Sequence, residues 1–145
     1  MEMVMDHVVY LDYQAKELDN LLSGKKTMII RGAAGRKMPY GRVFQGDNLY
    51  FINNNGEGLI RAKAIIKRVS NSNKLSEQES VSLIEMNQDK LQLSAKQYKR
   101  WAGKRFLVLV EVEKVEELEP FTIDKSNYGN MDDWLVAGDI QSVKN

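Results

Sequence analysis

Between residues 25 and 42 the chain carries six basic side chains and no acidic one: Lys25, Lys26, Arg31, Arg36, Lys37 and Arg42. Lysine offers a mobile point charge and arginine a planar fork, a combination that suits phosphate oxygens or base edges. Tyr40 stands among these cations, and Gly32, Gly35 and Gly41 interrupt them. A loop of the form Arg36-Lys37-x-x-Tyr40-x-Arg42 can follow a nucleic-acid backbone and stack one base. It can equally be an ordinary surface connector, because lone basic residues are usually solvated. Gly32-x-x-Gly35 is not a phosphate loop of the Walker type, since no Lys-Ser/Thr pair follows it.

Other chemistries have fewer candidates. His7 is the sole histidine and cysteine is absent, so a zinc site is not expected and disulfides are ruled out. A Ser-His-Asp triad would have to use His7, far from any nucleophile motif. We expect no cofactor and no metal. With 145 residues, 43% hydrophobic and 28% charged, the composition is that of a single soluble domain with a sizeable core. No apolar run approaches the roughly 18 residues needed to cross a bilayer. The first six residues have no secretory pattern, and the absence of cysteine fits a reducing cytosol. A cytoplasmic monomer without membrane contact is the expectation.

Net charge is only +1, from 21 Lys+Arg and 20 Asp+Glu, so the distribution matters more than the sum. Residues 111–119 hold five acids and one lysine, which predicts the solvent side of a strand. Lys99, Arg100, Trp101 and Trp134 are further candidates for cleft walls, although large aromatics in a small domain are mostly core.

These residues need elements to place them. Leu11, Ala15, Leu18 and Leu22 recur at helical spacing over 12–23, with Asp12 as N-cap and Gly24 as the C′ residue. Residues 27–30 read as a short buried strand, followed by a loop over 32–42. Strands are expected at 49–52 and 58–69, joined at Asn53-Asn54-Asn55-Gly56. In the second of these, Ile60, Ala62, Ala64 and Ile66 alternate with Arg61, Lys63 and Lys67, the pattern of a one-sided sheet. Ser76-Glu77-Gln78-Glu79 and Ser94-Ala95-Lys96-Gln97 are capping boxes that start two helices. The strand at 105–115 is the clearest in the chain and should end at Glu119-Pro120. Residues 126–130 read as loop, after which Trp134, Leu135, Val136 and Ile140 close over the core. Strands interrupted by helices without regular alternation predict an α+β fold: a mixed, mostly antiparallel β-barrel with flanking helices.

Gly24, Lys26 and Arg31 resemble the signature Gly-x-Lys-x-x-Glu-x-Arg of the ASCH domain, a branch of the PUA-like superfamily. Further landmarks of that family match Gly46-Asp47, the 59–69 strand, Trp101-x-Gly103-Lys104-Arg105 and Leu118-x-Pro120. The resemblance covers 11–121, leaving 122–145 as a C-terminal extension of one domain. Ile29 departs from the pattern by replacing the signature glutamate. Some relatives, similar to bacterial acetylcytidine amidohydrolases, place a catalytic threonine there beside the lysine. The resemblance would then make Lys26 a catalytic group, with Thr27 as a displaced hydroxyl and Glu77 or Glu79 as the acid. Both glutamates also account for themselves as helix-start residues.

The expectation is therefore an RNA- or modified-nucleotide-binding module. Lys26 and Arg31 would anchor the ligand, Arg36, Lys37 and Arg42 would contact its backbone, and Tyr40 would stack. A small amidohydrolase or ribonuclease using Lys26 is the alternative, and a protein-interaction module without ligand is the second. Ile29 ranks binding above catalysis.

Overall fold

In the computed structural model residues 3–129 and 132–145 are described. Met1, Glu2, Asn130 and Met131 lie outside the described residues, Asn130 being the last residue of the loop expected at 126–130. Six strands form: β1 (Asp6–Leu11), β2 (Met28–Ala33), β3 (Asn48–Asn53), β4 (Leu59–Asn71), β5 (Phe106–Thr122) and β6 (Trp134–Gly138). They make one sheet in the order β2-β5-β4-β3-β1-β6. β1 runs parallel to β3, and the other neighbours are antiparallel. The sheet curls, so that Ile29 on one edge strand and Trp134 on the other share one core cluster. The result is a half-barrel flanked by helices α1 (Glu17–Leu22), α2 (Glu77–Met86), α3 (Gln88–Leu91) and α4 (Ala95–Trp101).

β5 explains the two-layer packing. Val108, Val110 and Val112 face the barrel core with Phe51, Ala62 and Ala64. Leu107 and Leu109 face the helices with Ile84, Leu91 and Trp101. Both faces are covered there, so both sets of alternating positions must be apolar. The strand does not end at Glu119-Pro120 as expected but continues to Thr122. Its pairing with β2 stops at Glu111. Pro120 therefore costs no hydrogen bond on that side. Ile60, Ala62, Ala64 and Ile66 are buried as their alternation predicts. Both capping boxes form, with Ser76 and Ser94 accepting from the N3 amides.

Three local expectations are corrected. The first helix begins only at Glu17, because Asp12 Oδ1 accepts from Ala15 N at 3.0 Å in a preceding turn. Lys16, at φ 55, then takes the N-cap position that Asp12 was expected to hold. β2 runs on through Arg31, Gly32 and Ala33, which pair with Val108, Leu107 and Phe106, so the loop begins later. Glu111, expected on the solvent side, is 7% exposed and lies between Lys90 at 3.1 Å and Arg68 at 3.7 Å. The C-terminal segment also contributes more than a cover, since β6 pairs with β1 as an edge of the sheet.

His7 fastens that edge. Trp134 Nε1 donates to His7 Nδ1 at 3.2 Å. An indole N–H only donates, so the imidazole proton belongs on Nε2, which donates to Asp47 Oδ2 at 2.9 Å. Asp47 also accepts from Met5 N at 3.2 Å and Phe44 N at 3.1 Å. The single histidine is thus a structural link rather than a reactive group. Asp47→Ala is expected to lower the unfolding free energy by about 2–4 kcal/mol, because it strands the buried His7 Nε2–H and removes the acceptor of two part-buried amides. Urea denaturation compared with wild type measures the loss.

Candidate functional site

α1 ends at Leu22, and Gly24, at φ +82, turns the chain back. Lys26 N then donates to Asn20 O at 3.0 Å, which draws its side chain inward beneath the helix. Lys26 is 1% exposed. Its Nζ donates to Leu91 O and stands 3.3 Å from Glu17 Oε2. The other oxygen of Glu17 accepts from Asp12 N at 2.9 Å. Burial lowers the Lys26 pKa below the usual lysine range despite the attraction of Glu17, and the Arg31 charge pushes the same way.

Arg31 projects from β2 toward the opposite edge of the half-barrel. Its Nη2 donates to Tyr10 O at 2.6 Å and its Nη1 to Ile30 O at 2.9 Å. The guanidinium carbon lies 5.6 Å from the centre of the Trp134 ring. The Nε of Arg31 is 3.2 Å from Asp133 Oδ2, but the N–H is out of line and forms no hydrogen bond. Arg100 Nη2 approaches the same carboxylate oxygen at 3.8 Å.

A cleft of about 470 Å³ opens beside this bridge. Its cations are Arg31, Arg100 and Lys125, and its acids are Asp12, Glu17, Asp132 and Asp133. Asn53, Asn54 and Gln97 add amide groups, and Tyr10 and Trp101 add aromatic surface. The Arg100 guanidinium lies 4.3 Å from the Trp101 ring centre, and Lys125 Nζ lies 4.7 Å from that of Tyr10. Both rings therefore carry a cation on one face. Despite the four acids, among the described residues no group of three or more acids or histidines is placed to hold a metal ion. Among those residues no helix is long and apolar enough to cross a membrane.

The structure sorts the candidates from the sequence. Arg31 lines the cleft, whereas Lys26 lies behind Glu17 and does not. Tyr40 is half-buried, donates its hydroxyl to Ser72 O and packs edge-on against Phe106. Arg36 covers the same two rings, at 5.7 and 5.6 Å. Arg42 is exposed and lines no part of this cleft. Lys37 lies in a second, smaller cleft that shares Arg31. Trp101 is a cleft wall, while Trp134 stays in the core behind Arg31. Thr27 sits just before β2, with its backbone paired to Lys90 and Val112. Glu77 and Glu79 are exposed at the start of α2, away from this cleft, and Glu79 is held by Ser76. The carboxylate beside Lys26 is instead Glu17. Its approach depends on the turn at 12–16, which the helical periodicity of its neighbours conceals. Asp133 and Arg100 were equally hard to foresee together, because only folding brings them to Arg31.

No protein-family model matches the chain, and no curated protein matches it in sequence. Solved structures do. The crystal structure of ASCH from Zymomonas mobilis superposes with a TM-score of 0.67 at 14% identity, over 90% of this chain and 86% of that one. A point mutant of the same protein gives 0.68 at 14% identity, over 94% and 90%. This likeness shows that the chain has the fold of those ASCH structures.

Lys26→Met or Glu17→Gln alone is expected to lower the unfolding free energy by about 3–5 kcal/mol, and the double variant to recover part of that loss. A denaturant-melt double-mutant cycle reads the coupling. The pH dependence has a definite sign. With the folded pKa of Lys26 below the ordinary lysine value of 10.5, the unfolded chain holds more protons between the two. Wild type should therefore gain stability relative to Lys26→Met as pH rises through that window.

Proposed function

On the premise of an ASCH-domain fold, we propose that this chain is an RNA- or modified-nucleotide-binding module that takes one unpaired nucleoside into the larger cleft. The fold is compatible with a nucleic-acid-binding module. The observation that carries the reading is the make-up of the cleft wall. The Asn53 amide offers a donor and an acceptor, and the NH2 groups of Asn54 and Gln97, whose oxygens accept from Tyr13 N and Ser94 N, add donors for a base edge. Arg100, stacked on Trp101, is a planar platform for a base. A volume of about 470 Å³ lies within the usual range for small-ligand clefts. Arg31, held by two carbonyls, presents a preorganised charge, while Lys26 acts indirectly by holding Glu17 in place.

A second reading, a small amidohydrolase or ribonuclease, is favoured by one observation. The Glu17 carboxylate lines the cleft, and a lysine with a lowered pKa stands directly behind it. Glu17, kept ionised by Lys26, would take a proton from a water whose oxygen attacks the acyl carbon or the phosphorus, and would pass that proton to the leaving nitrogen or oxygen.

Binding of a fluorescent single-stranded oligoribonucleotide should weaken steadily with added salt. Arg100→Ala should weaken it about tenfold and Arg42→Ala by less than about twofold. Salt-independent affinity, or no response to Arg100→Ala, refutes the binding reading. For the hydrolase, acylated cytidine and RNA should yield product that disappears in folded Glu17→Gln. No product from either substrate rejects that reading.

A further inference from the structure

We infer that the smaller cleft beside Arg31 is a phosphate site, and that Asp133 fills the phosphate position in the unliganded protein. The inference rests on the nucleotide-binding reading and assigns its backbone-contacting half. Two clefts flank the bridge formed by Arg31, Asp133 and Arg100, and they differ in charge. The larger sets Arg31, Arg100 and Lys125 against Asp12, Glu17, Asp132 and Asp133. Lys26 neutralises Glu17 from behind, so that cleft has little net attraction for an anion. The smaller, of about 260 Å³, sets Arg31, Lys37, Arg100 and Lys104 against Asp133 alone. Its wall includes Ala33 and Ala34, whose small side chains let a ligand approach the backbone, while Gly32 beside them packs directly against Leu107. A base and sugar suit the first cleft and a phosphodiester suits the second.

The bridge itself points to a replaceable anion. Arg31 has a side chain only 10% exposed, its Nη groups are anchored, and its Nε–H has no hydrogen-bond partner. Asp133 lies between two guanidinium groups at 3.2 and 3.8 Å, and neither contact is an aligned hydrogen bond. Its side chain is 37% exposed, so it can swing into solvent. A phosphate group brings more acceptor oxygens and can satisfy both arginines while Lys37 and Lys104 approach from the rim.

The test titrates wild type, Asp133→Asn and Lys37→Ala/Lys104→Ala with inorganic pyrophosphate, with cytidine and with a short single-stranded oligoribonucleotide. The indole N–H resonance of Trp101, which lines both clefts, is the readout. Removing the internal anion should tighten pyrophosphate binding about threefold to tenfold. The double lysine variant should weaken pyrophosphate and the oligoribonucleotide about tenfold and leave cytidine unchanged. Pyrophosphate that leaves Trp101 unmoved in Asp133→Asn overturns the inference, as does weaker binding by that variant. Pyrophosphate binding as expected, with neither cytidine nor oligoribonucleotide bound, upholds the phosphate site and refutes the nucleotide reading.

Discussion

The half-barrel has a seam, and Arg31 spans it. β2 and β6 are the two edges of the sheet and share no backbone hydrogen bonds. Arg31 leaves β2, donates to the Tyr10 carbonyl on β1 and lies over Trp134 on β6. A guanidinium can do this because its planar fork serves several acceptors while its face rests on an aromatic ring. Burying a charge is costly unless it is hydrogen-bonded and paired. Here two carbonyls and the nearby Asp133 carboxylate offset that cost. Both clefts open beside this seam and both are lined by Arg31. Arg31 therefore links the two edges of the sheet and lines both clefts.

Lys26 and Arg31 divide the work differently from what their shared basicity implies. Lys26 is enclosed beneath α1 and fixes Glu17, whose carboxylate then faces the cleft. Arg31 is the cation that reaches the cleft itself. The difference follows from geometry: a lysine stem ends in a compact ammonium that one carbonyl and one carboxylate can satisfy. Ile29 fits the same frame. It is fully buried in the barrel core with Phe51 and Trp134, so its apolar side chain completes the core rather than the site.

Two side chains of the basic loop are engaged in packing. Tyr40 carries enough apolar surface to pack against Phe106, and Arg36 then covers both rings. Lys37 remains directed to a cleft. Charge density along the chain located the region but did not resolve which side chains would be consumed by packing.

Much of the fold was legible because its signals are local. Period-two alternation marked β4 and β5, and each capping box needed only four residues to mark a helix start. Gly24, Lys26 and Arg31 pointed to the fold for the same reason. The opposed carboxylates were not legible. Glu17 reaches Lys26 through an irregular turn, and Asp133 reaches Arg31 only after β6 pairs with β1. That pairing is tied by His7 and Trp134, which are 127 residues apart. Sequence spacing determines which residues share a helix or strand face. Which faces then meet depends on how the sheet curls, and that emerges only when the whole core packs.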